Sequence, residues 1–137
     1  MKHVLIACAL LLVGSTLSAQ TKVTVTIENI KGDKGSIRIG VFDNEGDFLK
    51  KPIDGRIVKA NGSEVTVVFD KLKPGNYAIS VIHDENENTE LDTKMGIPKE
   101  GIGFSNNVMG NFGPPSFEKS SFTISDEKTL NIKLKYL

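Results

Sequence analysis

Period-two alternation of β-branched and aliphatic residues limits this chain more than any other feature. From Thr21 to Ile30, Val23, Val25 and Ile27 alternate with Lys22, Thr24, Thr26 and Glu28. That pattern predicts a half-buried strand. Ser36–Asp43 repeats it with Ile37, Ile39 and Val41, and the turn Lys31–Gly35 between them predicts a hairpin. Phe48 and Leu49 interrupt the alternation and are expected to fold back onto the core from a loop or one helical turn. Arg56–Ala60 and Glu64–Asp70 flank Asn61-Gly62, a dipeptide that tolerates the positive φ of a tight hairpin turn. Pro74-Gly75 suits the centre of a type II turn. Tyr77–His83 is apolar on both faces and is expected at the centre of a sheet. Phe117–Ile124 and Thr129–Tyr136 read as a last hairpin, with Phe122, Ile124, Leu130, Ile132 and Leu134 inward. No long stretch carries a helical period. The expected fold is all-β: a single antiparallel β-sandwich of about seven strands, transthyretin-like or Ig-like.

The first 19 residues stand apart from this pattern. Lys2 and His3 precede the apolar run Val4–Val13, and Gly14–Ala19 is small and polar. This is the layout of a secretory signal peptide, with cleavage expected after Ala19 and the domain over 20–137. The run is short for a membrane span, so no transmembrane segment is expected once it is removed. Leu5-Ile6-Ala7-Cys8 has the local look of a lipid-attachment box, but its apolar residues mostly follow the cysteine, which argues against it. Cys8 is the only cysteine, so the exported domain has no disulfide. Basic and acidic residues number 17 each, and losing Lys2 leaves a single excess negative charge. Such a chain has no broad field for nucleic acid or an anionic membrane.

The stretch from Asp84 to Ser116 holds many of the glycines and prolines, yet also Leu91, Met95, Ile97, Ile102, Phe104, Val108, Met109 and Phe112. That is too apolar for a solvated linker. A long ordered loop over one end of the sandwich is expected. Its first part, Asp84-Glu85-Asn86-Glu87-Asn88-Thr89-Glu90-Leu91-Asp92, places side-chain oxygens at alternate positions. Asp84, Asn86, Asn88, Glu90 and Asp92 are therefore candidate ligands for calcium, a hard cation that takes six to eight oxygens. Thr89 occupies the place where such loops usually have glycine, and Met95 the place of the closing glutamate. A polar turn held by its own Asn and Asp side chains is the competing reading. Any affinity would lie in the weak extracellular range.

His83 is the only histidine beyond the leader, which excludes zinc sites built on several histidines. A hydrolase acting on envelope or extracellular polymers would need His83 as base, Asp84 or Asp92 to orient it, and Ser105 or Ser116 as nucleophile. An Asp92–Glu100 carboxylate pair would be its glycosidase form. No spacing motif supports either. A hydrogen-bonded strand-end histidine is the plainer reading. Gly101-Ile102-Gly103 is not a phosphate loop, since no strand leads into it and no helix follows. The second part of the long segment offers His83, Phe104, Ser105, Asn106, Asn107 and Phe112 as a binding surface, with Phe104 and Phe112 as core plugs in the alternative.

Taken together, Pro74-Gly75-x-Tyr77, His83-Asp84-x-Asn86-x-Asn88-x-x-Leu91-Asp92, Gly96-x-Pro98-x-Glu100-Gly101-x-Gly103-Phe104-Ser105-Asn106-Asn107 and Phe112-Gly113-Pro114-Pro115-x-Phe117 resemble the bacterial family called domain of unknown function 2141. The resemblance covers most of the chain beyond the leader and implies an exported bacterial domain without an established activity. The Leu-x-Pro-Gly-x-Tyr turn is also similar to that of transthyretin-like sandwiches, which bears on fold and not on function. The expected role is a non-enzymatic binding or envelope-associated module, periplasmic or secreted, whose ligand the residues do not name. Calcium is its one candidate cofactor.

Overall fold

The computed structural model describes residues 21–89, 93–94, 97–111 and 113–137. Residues 1–20, Glu90–Asp92, Met95, Gly96 and Phe112 lie outside them. The described residues form two packed sheets. The first has the order β10(Glu127–Lys133), β1(Lys22–Glu28), β4(Val65–Phe69). The second runs β3(Asp54–Lys59), β2(Ser36–Phe42), β5(Gly75–Asp84), β8(Gly101–Phe104), with β9(Phe122–Ile124) also on β5. A two-residue pair, β6(Thr93–Lys94) with β7(Ile97–Pro98), stands outside both sheets. The alternation read from the sequence marks the buried face. Val23, Val25 and Ile27 meet Ile37, Ile39 and Val41 across a core completed by Phe69, Tyr77, Ile79, Val81, Phe122, Ile124, Ile132 and Leu134.

Three expected hairpins do not form. β1 and β2 lie in different sheets, as do β3 and β4, and β9 and β10. Each connection crosses from one sheet to the other, so consecutive strands face each other through the core. Alternation specifies which side of a strand is buried but not which strand lies beside it. The Asn61-Gly62 turn does carry its positive φ, at Gly62 (φ 73°), and the Gly62 N–H donates to Asp33 Oδ1 at 2.7 Å. It thus ties the two crossing loops together. The sheets are antiparallel with one exception: β1 pairs β10 in parallel, Lys22 with Glu127 through Glu28 with Lys133. Gly75 opens β5 rather than closing a turn, and Phe117–Ser120, expected as strand, is one turn of helix capped by Ser116.

β5 holds the central place that its two apolar faces predict. β2 pairs along one side over Ala78–Asp84, while β9 and β8 share the other. Phe48 packs edge-on against Phe42 and Phe117, at 5.4 and 5.7 Å between centroids, whereas its neighbour Leu49 turns outward. Beyond β10 the chain leaves the first sheet and pairs with β8. The Ile102 N–H donates to Lys135 O at 2.9 Å, and Lys135 N–H to Ile102 O at 2.8 Å. This closes one side of the sandwich.

Candidate functional site

The end of β5 carries the residues singled out for chemistry. His83 points into the core and is 0% exposed. Its Nε2 is 2.7 Å from Lys34 O, a carbonyl that can only accept, so Nε2 carries the proton. Nδ1 then accepts from the Tyr136 hydroxyl at 2.8 Å, and that oxygen accepts the Lys31 N–H at 2.9 Å. Glu85 Oε1 stands 3.8 Å from Nδ1. Burial raises the Tyr136 phenol above its ordinary pKa of 10.0; the Lys31 hydrogen bond opposes that and the Glu85 carboxylate adds to it. The hydroxyl thus stays protonated as the donor to His83. Both imidazole nitrogens are engaged in joining the β1–β2 loop, β5 and the C-terminus.

Asp84, one residue on, is 1% exposed. Its Oδ2 accepts the Thr89 N–H at 2.9 Å, and the Arg38 guanidinium donates to the Thr89 carbonyl. The Thr89 peptide is therefore held between an acid and a base, at φ 63°, where glycine is the usual residue. Asn86 Oδ1 accepts the Asn88 N–H at 3.3 Å, and buried Glu100 accepts the Glu85 N–H at 2.9 Å. This is the self-bonded polar turn of the competing reading. Two atoms depart from it: Asp84 Oδ1 is buried and finds no hydrogen-bond donor, and Arg38 Nε is buried without an acceptor. A buried carboxylate oxygen without a donor fits a cation. Among the described residues, no three His, Cys, Asp or Glu side chains converge on a point. The remaining ligands of the expected set, Glu90 and Asp92, lie outside those residues.

The Gly101–Asn107 motif has a clear structural arrangement. Gly101 and Gly103 lie on the inner face of β8; a Cβ on Gly101 would come within 2.6 Å of the Tyr136 ring, and one on Gly103 within 2.8 Å of Ile132 Cγ2. Only glycine lets β8 approach the C-terminal strand so closely. Phe104 is buried, as a core plug would be. Ser105, also buried, accepts the Ile79 N–H at 2.9 Å and donates to Ser120 O, replacing a ladder rung where β8 has ended and β9 has not begun. Asn106, at φ 64°, donates to Lys119 O and Ser121 O at 3.0 and 2.8 Å. Asn107 donates to Asn131 O at 3.1 Å and accepts the Lys133 N–H at 2.9 Å, like an added residue on the edge of β10. Phe112 lies outside the described residues.

Arg38 and Tyr136 escaped sequence reasoning because they meet the site through the sheet register and the closing C-terminus. Gly101–Phe104, expected within the long loop, is instead strand β8; the alternation of Gly101 and Gly103 with Ile102 and Phe104 is the signal that marks it.

A two-sheet β-sandwich whose last strand returns to the first, with an acidic turn at the end of its central strand, is the class these features define. Residues 25–133 match a family described as uncharacterized protein conserved in bacteria, DUF2141. The chain belongs to that family. No curated protein and no solved structure matches it.

Proposed function

We propose that the protein is an exported, non-catalytic β-sandwich module of the cell envelope whose Asp84–Asp92 turn holds calcium weakly. The observation that carries the calcium reading is the Asp84 Oδ1 atom, buried and without a donor at the mouth of an oxygen-rich turn. The Arg38 guanidinium, one peptide group away, opposes a cation there, consistent with affinity in the millimolar range. The non-catalytic part rests on His83 and Ser105, both buried with their polar atoms engaged in backbone contacts and Tyr136. Nothing in the geometry favours the hydrolase reading. Export rests on the basic, apolar, small-residue order of residues 1–19.

Cell fractionation tests export, with the protein expected outside the cytoplasm and shortened at its N-terminus. Thermal melting tests the ion. About 10 mM calcium should stabilise the protein by roughly 1–3 kcal/mol, raising Tm by several degrees. Asp84→Asn should abolish that rise. Equal melting with and without calcium, together with no calorimetric heat, sinks the calcium reading.

A further inference from the structure

Two buried polar atoms at the end of β5 have opposite needs and belong to one face. In register, Ser36 on β2 lies opposite Asp84 on β5 and Arg38 opposite Ile82, so Arg38 and Asp84 are diagonal neighbours on the outer face of the second sheet. That diagonal is within the reach of a long side chain. Both grip the same residue: Asp84 Oδ2 accepts the Thr89 N–H at 2.9 Å, and the Arg38 guanidinium donates to the Thr89 carbonyl. Each also keeps one buried atom without a partner, Oδ1 in Asp84 and Nε in Arg38. A charged acceptor and a charged donor, both buried and both left open, are costly to keep. Lys59 stands in the same row, opposite Ser36, but is exposed at the sheet edge. Arg38 is thus the cation that the register holds inside, against the carboxylate.

We propose that the Arg38 guanidinium is the resident cation of the Asp84–Asp92 turn, and that calcium binds there by displacing it. The inference rests on the calcium reading above and adds what sets the affinity. A calcium ion at Asp84 Oδ1 gives that oxygen its missing partner, and the same event answers the second open atom. Two positive groups at one carboxylate repel, so the guanidinium leaves the Thr89 carbonyl and its Nε–H turns to water. The way out is open: Ile57, opposite Arg38 on β3, is 67% exposed, and Ile82 on the other side is half-buried. Departure also frees the Thr89 carbonyl, and backbone carbonyl oxygens are calcium ligands. Arginine suits the resident place because it stays charged at every working pH, and its charge offsets the buried carboxylate while no ion is bound. A neutral residue at position 38 leaves calcium nothing to displace, whereas any cation there competes.

Calorimetric titration of the metal-depleted protein with calcium tests this, on the parent and on Arg38→Gln, Arg38→Met and Arg38→Lys. The two neutral variants should bind about five- to tenfold more tightly, the effect of one unit charge on a divalent ion roughly 8 Å away in a mostly aqueous dielectric. Arg38→Lys keeps the charge and should stay within about twofold of the parent. A second measurement needs no variant. The Arg38 Nε–H resonance, protected from solvent exchange in the metal-free protein, should exchange rapidly at saturating calcium. Binding by the parent with equal or weaker binding by both neutral variants overturns the inference and leaves the calcium reading standing. An Nε–H resonance that stays protected at saturation does the same. Binding by the neutral variants alone supports the inference, since it traces the weakness of the parent to its arginine. Absence of binding heat in all four proteins sinks the calcium reading itself, and the inference with it.

Discussion

Tyr136 shows how much a single hydroxyl can organise at the residue scale. It accepts the Lys31 amide, donates to His83 and presses its ring against Gly101. Removing it as Tyr136→Phe keeps the ring and deletes both hydrogen bonds, leaving buried His83 Nδ1 unsatisfied; a loss of about 1–3 kcal/mol is expected in urea unfolding. The pH dependence has a definite sign. The folded phenol has a pKa raised above 10.0, chiefly by burial, so its contribution is complete below pH 10 and is lost as pH rises through the folded value. Tyr77 is raised as well, by burial and the Asp43 charge. The alkaline fall in stability should therefore shrink in Tyr136→Phe without vanishing. An unchanged alkaline profile would show that the phenol ionises without cost in the folded state. Ser105, Asn106 and Asn107, read at this scale as a binding surface, also act as hydrogen-bonding pins between elements. Residue type alone does not separate the two, because an amide offers the same donors to a ligand as to the backbone.

At the scale of elements, the Gly101–Asn107 stretch joins the parts of the sandwich. β8 is glycine-faced so that it can lie under β10, and Ser105–Asn107 then binds β5, the helical turn Phe117–Ser120 and β10 in three consecutive residues. Gly103→Ala places a methyl group 2.8 Å from Ile132 Cγ2 and 3.2 Å from Leu134 Cδ2. Overpacking of about 1–3 kcal/mol is expected, read as a lowered denaturation midpoint. Ser105→Ala should cost a similar amount by a different route, leaving the Ile79 N–H and the Ser120 carbonyl buried without their partner. In a double-mutant cycle, Ile132→Ala, which removes Cγ2, should lower the cost of Gly103→Ala and leave that of Ser105→Ala unchanged. Independent behaviour of Gly103 and Ile132 in that cycle would mean that β8 shifts instead of clashing.

For the whole molecule, the parallel pairing of β1 with β10 makes the fold depend on both ends of the chain. The first sheet cannot be completed until the last strand has been made, and contacts of such sequence separation slow folding into the range of about milliseconds to seconds. Removal of residues 128–137 takes away β10 and the Ile102–Lys135 bridge together. The shortened chain is expected to lose cooperative unfolding and dispersed amide resonances, in contrast to a chain lacking Leu137 alone. Among the described residues no helix is long and apolar enough to cross a membrane.

Most strand positions, their buried faces and the central place of Tyr77–His83 were readable directly, because a period-two pattern is a local property of consecutive side chains; β8, expected as loop, and the helical turn Phe117–Ser120, expected as strand, were not. The acidic turn was readable as a run of oxygen side chains that includes Asp84; that the fold buries Asp84 Oδ1 without a donor was not. Which strands become neighbours was not, since β1 with β2 and β1 with β10 bury the same apolar face and differ only in where the chain travels between them. The engagement of His83 by Lys34 and Tyr136, and of Asn107 by β10, likewise depends on residues distant in sequence. Those partners come together only once the sheets are stacked, when each buried donor and acceptor must find its complement.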